Sequence, residues 1–105
     1  MADSQDRDLL EPGDLESLRA EIDALDVEIV SLLNRRARLG LAAGHAKTRR
    51  GRPLTDAERE RDVLVRISLA NEGPLPQGEL LALYRQLIET IKHLEEIANS
   101  TSSTD

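Results

Sequence analysis

Apolar residues recur at alternating spacings of three and four along the first half of the chain. The positions are Leu15, Leu18, Ile22, Leu25, Ile29, Leu32, Leu39, Ala43 and Ala46. This spacing is that of a coiled-coil seam, and it predicts one long amphipathic helix. Asp14 is the expected N-cap. The segment from Arg49 to Pro53 interrupts the pattern, so the helix is predicted to end near Thr48.

Two shorter helices are predicted in the second half. Thr55 and Glu58 have the spacing of a capping box after Pro53, so they mark the start of the second helix. Its inner stripe is Glu60, Val63, Leu64 and Ile67. Residues 71–76 end it, because they include one glycine and two prolines. The third helix is predicted to start near Gly78, with the stripe Leu80, Leu81, Tyr84, Leu87, Ile88, Ile91, Leu94 and Ala98.

The predicted organisation is a single helical domain at residues 14–98 between two tails. Residues 1–13 are polar and are expected to form a flexible N-terminal tail, and residues 99–105 a disordered C-terminal tail. The first helix would span roughly 50 Å, whereas a compact domain of this length has a diameter of roughly 33 Å. Its seam would project uncovered from a monomer. We therefore expect an all-α homodimer, because a twofold dimer is the commonest way to cover such a seam.

Charged residues interrupt the stripes where apolar side chains are expected. Arg36 continues the seam of the first helix, and Lys47 follows on the same side almost three turns later. Glu60 opens the stripe of the second helix, and Glu95 lies on the inner face of the third. Buried charges must be paired or must meet a ligand. The pattern fits either an internal salt-bridge network or a pocket for a small anion.

Composition and charge argue against several classes of function. The net charge is -6, which disfavours non-specific nucleic-acid binding, although the segment from Ile29 to Thr55 contains seven cations and no acid. The chain contains no cysteine and one aromatic residue, Tyr84. His45 and His93 lie on different predicted helices without an obvious third ligand, so a zinc site is not expected. No apolar run is long enough for a membrane span, and a cytoplasmic protein is expected.

Four sequence segments resemble the helical chorismate mutases. They are Leu18-Arg19-x-x-Ile22-Asp23-x-Leu25-Asp26, Leu32-Leu33-x-x-Arg36, Gly44-His45-Ala46-Lys47 and Arg52-Pro53-x-x-Asp56-x-x-Arg59-Glu60-Arg61-Asp62. The similarity runs from about Asp14 to Ala98, and the last segment is the most specific part. The resemblance implies a free-standing, single-domain chorismate mutase that forms an intertwined three-helix homodimer with two active sites. It also implies conversion of chorismate to prephenate, for phenylalanine and tyrosine biosynthesis, without cofactor or metal.

The resemblance assigns roles to individual residues. It implies that Arg36 and Arg19 bind the two substrate carboxylates, with Arg19 contributed by the partner chain. Lys47 would donate to the ether oxygen of the breaking bond, and Glu60 would accept from the ring hydroxyl. Asp56 and Arg59 would complete the wall that contacts the substrate.

Two positions on the third helix depart from the commonest family pattern. Ile91 stands where many members have Ser, and Glu95 stands where many have Gln near the ether oxygen, although some members have Glu. Glu95 can donate a hydrogen bond only when it is protonated. Burial disfavours its charged form, whereas a neighbouring Lys47 favours it, and the sequence leaves that balance open.

The sequence also fits functions other than that of a chorismate mutase. Isochorismate-pyruvate lyases share the architecture, and Ile91 resembles an apolar residue of those enzymes, while Arg59-Glu60-Arg61-Asp62 favours the mutase. A mutase of an amino-substituted chorismate is a further alternative. A non-enzymatic helical interaction module would explain the seam but not the inward charges. Docking to a larger biosynthetic enzyme is possible, and neither a nucleic-acid nor a membrane partner is expected.

Overall fold

The computed structural model describes residues 14–53 and 56–103. Three helices make up most of these residues: α1 at Leu15–Arg49, α2 at Ala57–Ala70 and α3 at Gln77–Ser103. The two ranges contain no strand, so the predicted all-α fold with one long and two shorter helices is confirmed. The predicted N-terminal tail, residues 1–13, lies outside the described residues.

The helix ends fall close to those predicted, with one exception. α1 begins directly after Asp14, whose carbonyl oxygen accepts from the backbone N–H of Leu18 at 3.2 Å. α3 continues to Ser103, beyond the predicted end at Ala98 and into the segment predicted to be a tail. The extension contains neither glycine nor proline, and serine and threonine only modestly disfavour a helix. Residues 104 and 105 lie outside the described part.

The start of α2 differs from the predicted capping box. Its N-cap is Asp56, which has an extended backbone and whose Oδ1 atom accepts from the N–H of Arg59 at 3.0 Å. Thr55 lies outside the described residues. With Asp56 as N-cap, Arg59 is the third helical residue and Glu58 only the second, so the reciprocal pair of a capping box cannot form. A carboxylate also suits the positive end of the helix.

Gly51 terminates α1. Its φ of 72° lies in the left-handed region. The N–H of Arg52 donates to the carbonyl of Lys47 at 2.8 Å, and the N–H of Gly51 donates to the carbonyl of Thr48 at 3.0 Å. This pair of hydrogen bonds is a Schellman motif. It satisfies the last carbonyls of α1 and fixes the turn that carries Lys47.

Replacing Gly51 with alanine is expected to destabilise the protein by about 1–2 kcal/mol, the cost of a side chain in the left-handed region. Gly78 provides the matched control, because it has no positive φ and open space where a Cβ would stand. Gly78→Ala should leave stability unchanged or raise it by up to about 1 kcal/mol. Urea unfolding of both variants measures the difference. Equal effects at the two glycines would contradict the assigned helix stop.

The chain divides after Arg36 into two compact parts. Within the first part, the seam of α1 remains open to solvent in the single chain. Ile22 and Leu25 are each 55% exposed, and Leu15, Ile29 and Leu32 are exposed to a similar extent. Burying this much apolar side-chain surface would stabilise an assembly, at about 25 cal/mol for each Å² covered.

The second part, from Ala37 onward, contains the end of α1 together with α2 and α3. Val63 of α2 and Ile91 of α3 are its buried hydrophobic residues among those described. Leu64 and Ile67 of α2 are half-buried, as are most of the predicted stripe positions of α3, although Leu94 and Ala98 are exposed. The predicted inner faces of α2 and α3 are therefore largely correct.

The connection between α2 and α3 is fixed by side-chain amides. Asn71 Nδ2 donates to the carbonyl of Leu75 at 3.0 Å and to Gln77 Oε1 at 2.8 Å. Gln77 Nε2 in turn donates to the carbonyl of Ser68 at 2.9 Å. These bonds tie the first turn of α3 to the last turn of α2. Within the described residues, no helix has the length and apolar character needed to cross a membrane.

Candidate active site

The eight residues implied by the resemblance are distributed over all three helices and the start of α2. Arg19, Arg36 and Lys47 lie on α1; Asp56, Arg59 and Glu60 lie at the start of α2; Ile91 and Glu95 lie on α3. Arg36, Lys47, Asp56, Glu60 and Glu95 are half-buried, and Ile91 is only 4% exposed. Arg19 and Arg59 are exposed in the single chain. The prediction that Arg36, Lys47, Glu60 and Glu95 are withdrawn from solvent agrees with this partial burial.

Two glycines of α1 allow α3 to approach closely. A Cβ atom on Gly44 would lie 3.0 Å from Glu95 Oε1 and 3.1 Å from its Cγ. A Cβ atom on Gly40 would lie 2.5 Å from Ile91 Cγ2. The Glu95 side chain therefore lies directly on the backbone of α1. Lys47 lies three residues after Gly44, which is about one helical turn further along α1. The predicted cation is therefore on the turn next to the contact with Glu95.

Replacing Gly44 with alanine is expected to displace the Glu95 carboxylate, because the new methyl group would lie against it. With Glu95 in the role that the resemblance implies, kcat should fall by about tenfold, since small misplacements of a catalytic group are costly. The same change should not weaken the helix, since alanine favours helices over glycine by about 1 kcal/mol. Steady-state kinetics measures the loss of activity, and thermal unfolding measures whether stability is retained. In a Glu95→Ala background, Gly44→Ala should cause no further loss. An equal loss in both backgrounds would contradict a contact with Glu95.

Glu60 is held by an ion pair with α3. Its Oε2 atom accepts from Lys92 Nζ at 3.3 Å, and Lys92 Nζ also lies 3.0 Å from Glu89 Oε2. Contacts with Glu89, and then with Glu60, raise the pKa of Lys92 above its usual 10.5, while partial burial acts in the opposite direction. Lys92 therefore stays charged at neutral pH. The stabilisation that these pairs give is present below about pH 10.5 and is lost as the pH rises through the raised pKa of Lys92.

Lys92 was not predicted from the sequence. A signal was present, since Glu89 and Lys92 have the three-residue spacing of a helical ion pair. That spacing explains the pairing within α3 but not the bond to Glu60 on α2. The bond to Glu60 depends on the axial register between α2 and α3.

Asp56 has a structural task in addition to its predicted contact with the substrate. By capping α2 through the N–H of Arg59, its carboxylate fixes where the helix starts. The N–H of Glu60 also donates to the carbonyl of Asp56, at 3.0 Å. The rotational positions of Arg59 and Glu60 around α2 therefore follow from this cap.

A shallow groove of about 340 Å³ runs along α3. Its lining residues are Gln86, Glu89, Thr90, Lys92, His93 and Glu96. It includes the Glu89–Lys92 pair and none of the eight predicted site residues. We assign it no part in the chemistry.

The three helices define an all-α protein, and its partly buried charged side chains are the candidates for a functional site. The sequence profile of the family "Chorismate mutase type II" matches residues 18–96, about three quarters of the chain. The chain belongs to this chorismate mutase family. The resemblance inferred from the sequence is therefore confirmed.

Curated relatives and solved structures agree with the family assignment. The bifunctional chorismate mutase/prephenate dehydratase of Aquifex aeolicus is 38% identical over 87 residues, covering 79% of this chain and 24% of that protein. The protein of the same name from Escherichia coli is 38% identical over 74 residues, covering 70% of this chain and 19% of that protein. The chain thus spans about a quarter or less of these relatives. Chorismate mutase (form II) from Thermus thermophilus has a TM-score of 0.76 and 33% identity, and the match covers 78% of this chain and 93% of that one.

Proposed function

We propose that this chain is a chorismate mutase, an isomerase that rearranges chorismate to prephenate. The observation that carries the proposal is the contact between α1 and α3: Glu95 lies against Gly44, one turn before Lys47. A carboxyl group and an ammonium group can thus be presented by facing helices of one chain. Because the chain is similar to chorismate mutases along most of its length, we infer that the substrate of this arrangement is chorismate.

The reaction requires positioning and electrostatics rather than a nucleophile. In the intramolecular [3,3] rearrangement the ether C–O bond breaks while a C–C bond forms, and no atom is gained or lost. Negative charge develops on the ether oxygen as that bond breaks. We assign Lys47 to this oxygen, because an oriented ammonium group stabilises charge that appears only in the transition state. Glu95 assists there when it is protonated.

The remaining residues hold the flexible substrate in its reactive conformation. Arg36 and Arg19 bind the two carboxylates, since a guanidinium group matches a carboxylate through two parallel hydrogen bonds. Glu60 accepts from the ring hydroxyl, while Asp56, Arg59 and Ile91 complete the wall. Fixing the side chain over the ring removes much of the entropic part of the barrier.

We propose that the active protein is an intertwined homodimer. The exposed apolar seam on the N-terminal part of α1 supports this, because Ile22, Leu25 and Leu32 are each more than half exposed in the single chain. In the proposed dimer each chain covers the seam of the other. Arg19 then serves the site formed by Arg36 and Lys47 of the partner chain.

Mixing two inactive variants tests the shared site. Arg19→Ala and Lys47→Ala should each be nearly inactive alone. In a mixed dimer, one site has lost both residues and the other has lost neither. Random exchange should restore about a quarter of the wild-type activity, because half the dimers are mixed and each has one intact site. If refolding the two variants together restores no activity, the assignment of Arg19 to the partner's site is wrong.

Product analysis tests the reaction itself. Purified protein is incubated separately with chorismate and with isochorismate, and the products are identified by NMR, because prephenate and chorismate are isomers of equal mass. The proposal requires prephenate from chorismate. Release of pyruvate from isochorismate, without turnover of chorismate, would favour the lyase instead. A folded dimer inactive on both substrates would contradict the proposal that the chain alone is a mutase, and would favour an interaction module or an enzyme that requires a larger docking partner.

A further inference from the structure

Lys92 contacts two carboxylates that differ in their exposure to solvent. Its side chain is 17% exposed, whereas that of Glu60 is 32% exposed and that of Glu89 is 63% exposed. Lys92 therefore connects an exposed acid of its own helix to a more sheltered acid of α2. Salt screens the sheltered pair less than it screens the exposed one.

The chemistry of the two groups permits Glu60 to be held and still bind a ligand. A lysine ammonium has three donors and no acceptor, so Lys92 can donate to both carboxylates at once. The contact uses Glu60 Oε2. A carboxylate has two oxygens and about four acceptor positions, so one contact leaves acceptor capacity for a substrate hydroxyl.

We propose that Lys92 is a positioning residue, which holds the carboxylate of Glu60 in the orientation that accepts a hydrogen bond from the substrate. This inference rests on the proposed mutase function and on the role of Glu60 in it. Lys92 need not touch the substrate. Glu89 supports Lys92 from the solvent side and keeps its ammonium group directed between the two helices.

Preorganisation is the physical reason for an effect on activity. A glutamate side chain loses rotamer freedom when it is fixed in one conformation. If Lys92 fixes the Glu60 side chain in the free protein, its conformational entropy is lost on folding. Substrate binding then does not have to offset that loss. The backbone of Glu60 is fixed separately, because its N–H donates to the carbonyl of Asp56, so the side chain is the part that Lys92 has to order.

The first test asks whether Lys92 and Glu60 interact in solution, and it does not depend on catalysis. Urea unfolding is measured for wild type, Lys92→Met, Glu60→Ala and the double variant. Lys92→Met should change the equilibrium constant for unfolding about threefold more in the wild-type background than in the Glu60→Ala background. Equal changes in the two backgrounds would overturn the proposal, whatever the activity.

The second test uses the same four proteins with chorismate as substrate. Lys92→Met should lower kcat/KM by about tenfold in the wild-type background and should have no further effect once Glu60 is alanine. Lys92→Arg should restore most of the activity, since arginine keeps the charge and the donors. The matched control is Arg66→Met, which removes an exposed cation from α2 and should leave kcat/KM unchanged.

The outcomes separate this inference from the function on which it rests. Equal losses from Lys92→Met in both backgrounds would assign Lys92 a structural role independent of Glu60 and overturn the inference. A wild-type protein without turnover would overturn the proposed function and the positioning role with it. In that case the unfolding cycle would still establish whether the ion pair exists.

Discussion

Lys47→Ala is expected to lower kcat on chorismate by about 10³-fold while changing KM only slightly. Lys47 is assigned to the ether oxygen, where negative charge appears as the bond breaks, so its contribution belongs mainly to the transition state. Losing one preorganised donor to such a charge costs about 3–4 kcal/mol. Steady-state kinetics with saturating chorismate measures the loss.

Arg49→Ala is the matched control for Lys47→Ala. Arg49 is an exposed cation two residues further along α1, in the same last turn of the helix. Its removal changes the net charge equally and should leave kcat within about twofold, since surface substitutions usually have small effects. If Lys47→Ala raised KM and left kcat unchanged, Lys47 would bind the ground state instead of stabilising the transition state.

Arg36→Ala is expected to lower kcat/KM by about 10³-fold, with a marked rise in KM. Unlike Lys47, Arg36 is assigned to a carboxylate that is fully charged in both the substrate and the transition state. Its bidentate hydrogen bonds therefore contribute to binding as well as to orientation. Measuring kcat and KM separately distinguishes the two cations of α1.

Arg35→Ala is the control for Arg36. Arg35 is the preceding residue and is exposed, whereas Arg36 is half-buried. Removing Arg35 should change kcat/KM by less than about twofold, because an exposed cation on the solvent side of α1 contributes little. Similar losses from both variants would indicate that α1 attracts the substrate through its general positive charge. The individual role of Arg36 would then be wrong.

Much of the fold could be predicted because each helix carries its own local signals. The three-four spacing of α1 and the stop before Pro53 require only neighbouring residues, and Gly51 supplies that stop through its left-handed backbone. The start of α2 was misplaced by one residue because Thr55 and Asp56 are both good N-caps. Local sequence cannot decide between adjacent caps when the connecting chain also determines the direction of entry.

The candidate site could be predicted only in part. The inward charges Arg36, Lys47, Glu60 and Glu95 interrupt apolar stripes, so their positions were visible in the pattern. Gly40 and Gly44 lie within the helical pattern of α1, where small residues favour a close helix approach, but their neighbours Ile91 and Glu95 could be identified only from the structure. Lys92 escaped prediction because its partner on α2 depends on the register between two helices. The seam of α1 was visible in the sequence as well, and it is exposed in the single chain.

The most direct test of the central claim is the rate at which purified protein consumes chorismate, followed by the loss of its absorbance and compared with Arg36→Ala at equal concentration. The account predicts rapid loss with wild type, accompanied by prephenate, and a rate about 10³-fold lower with Arg36→Ala. Loss of absorbance that is equally fast with both proteins would contradict the assigned site. No loss with a folded, dimeric wild type would contradict the proposed reaction.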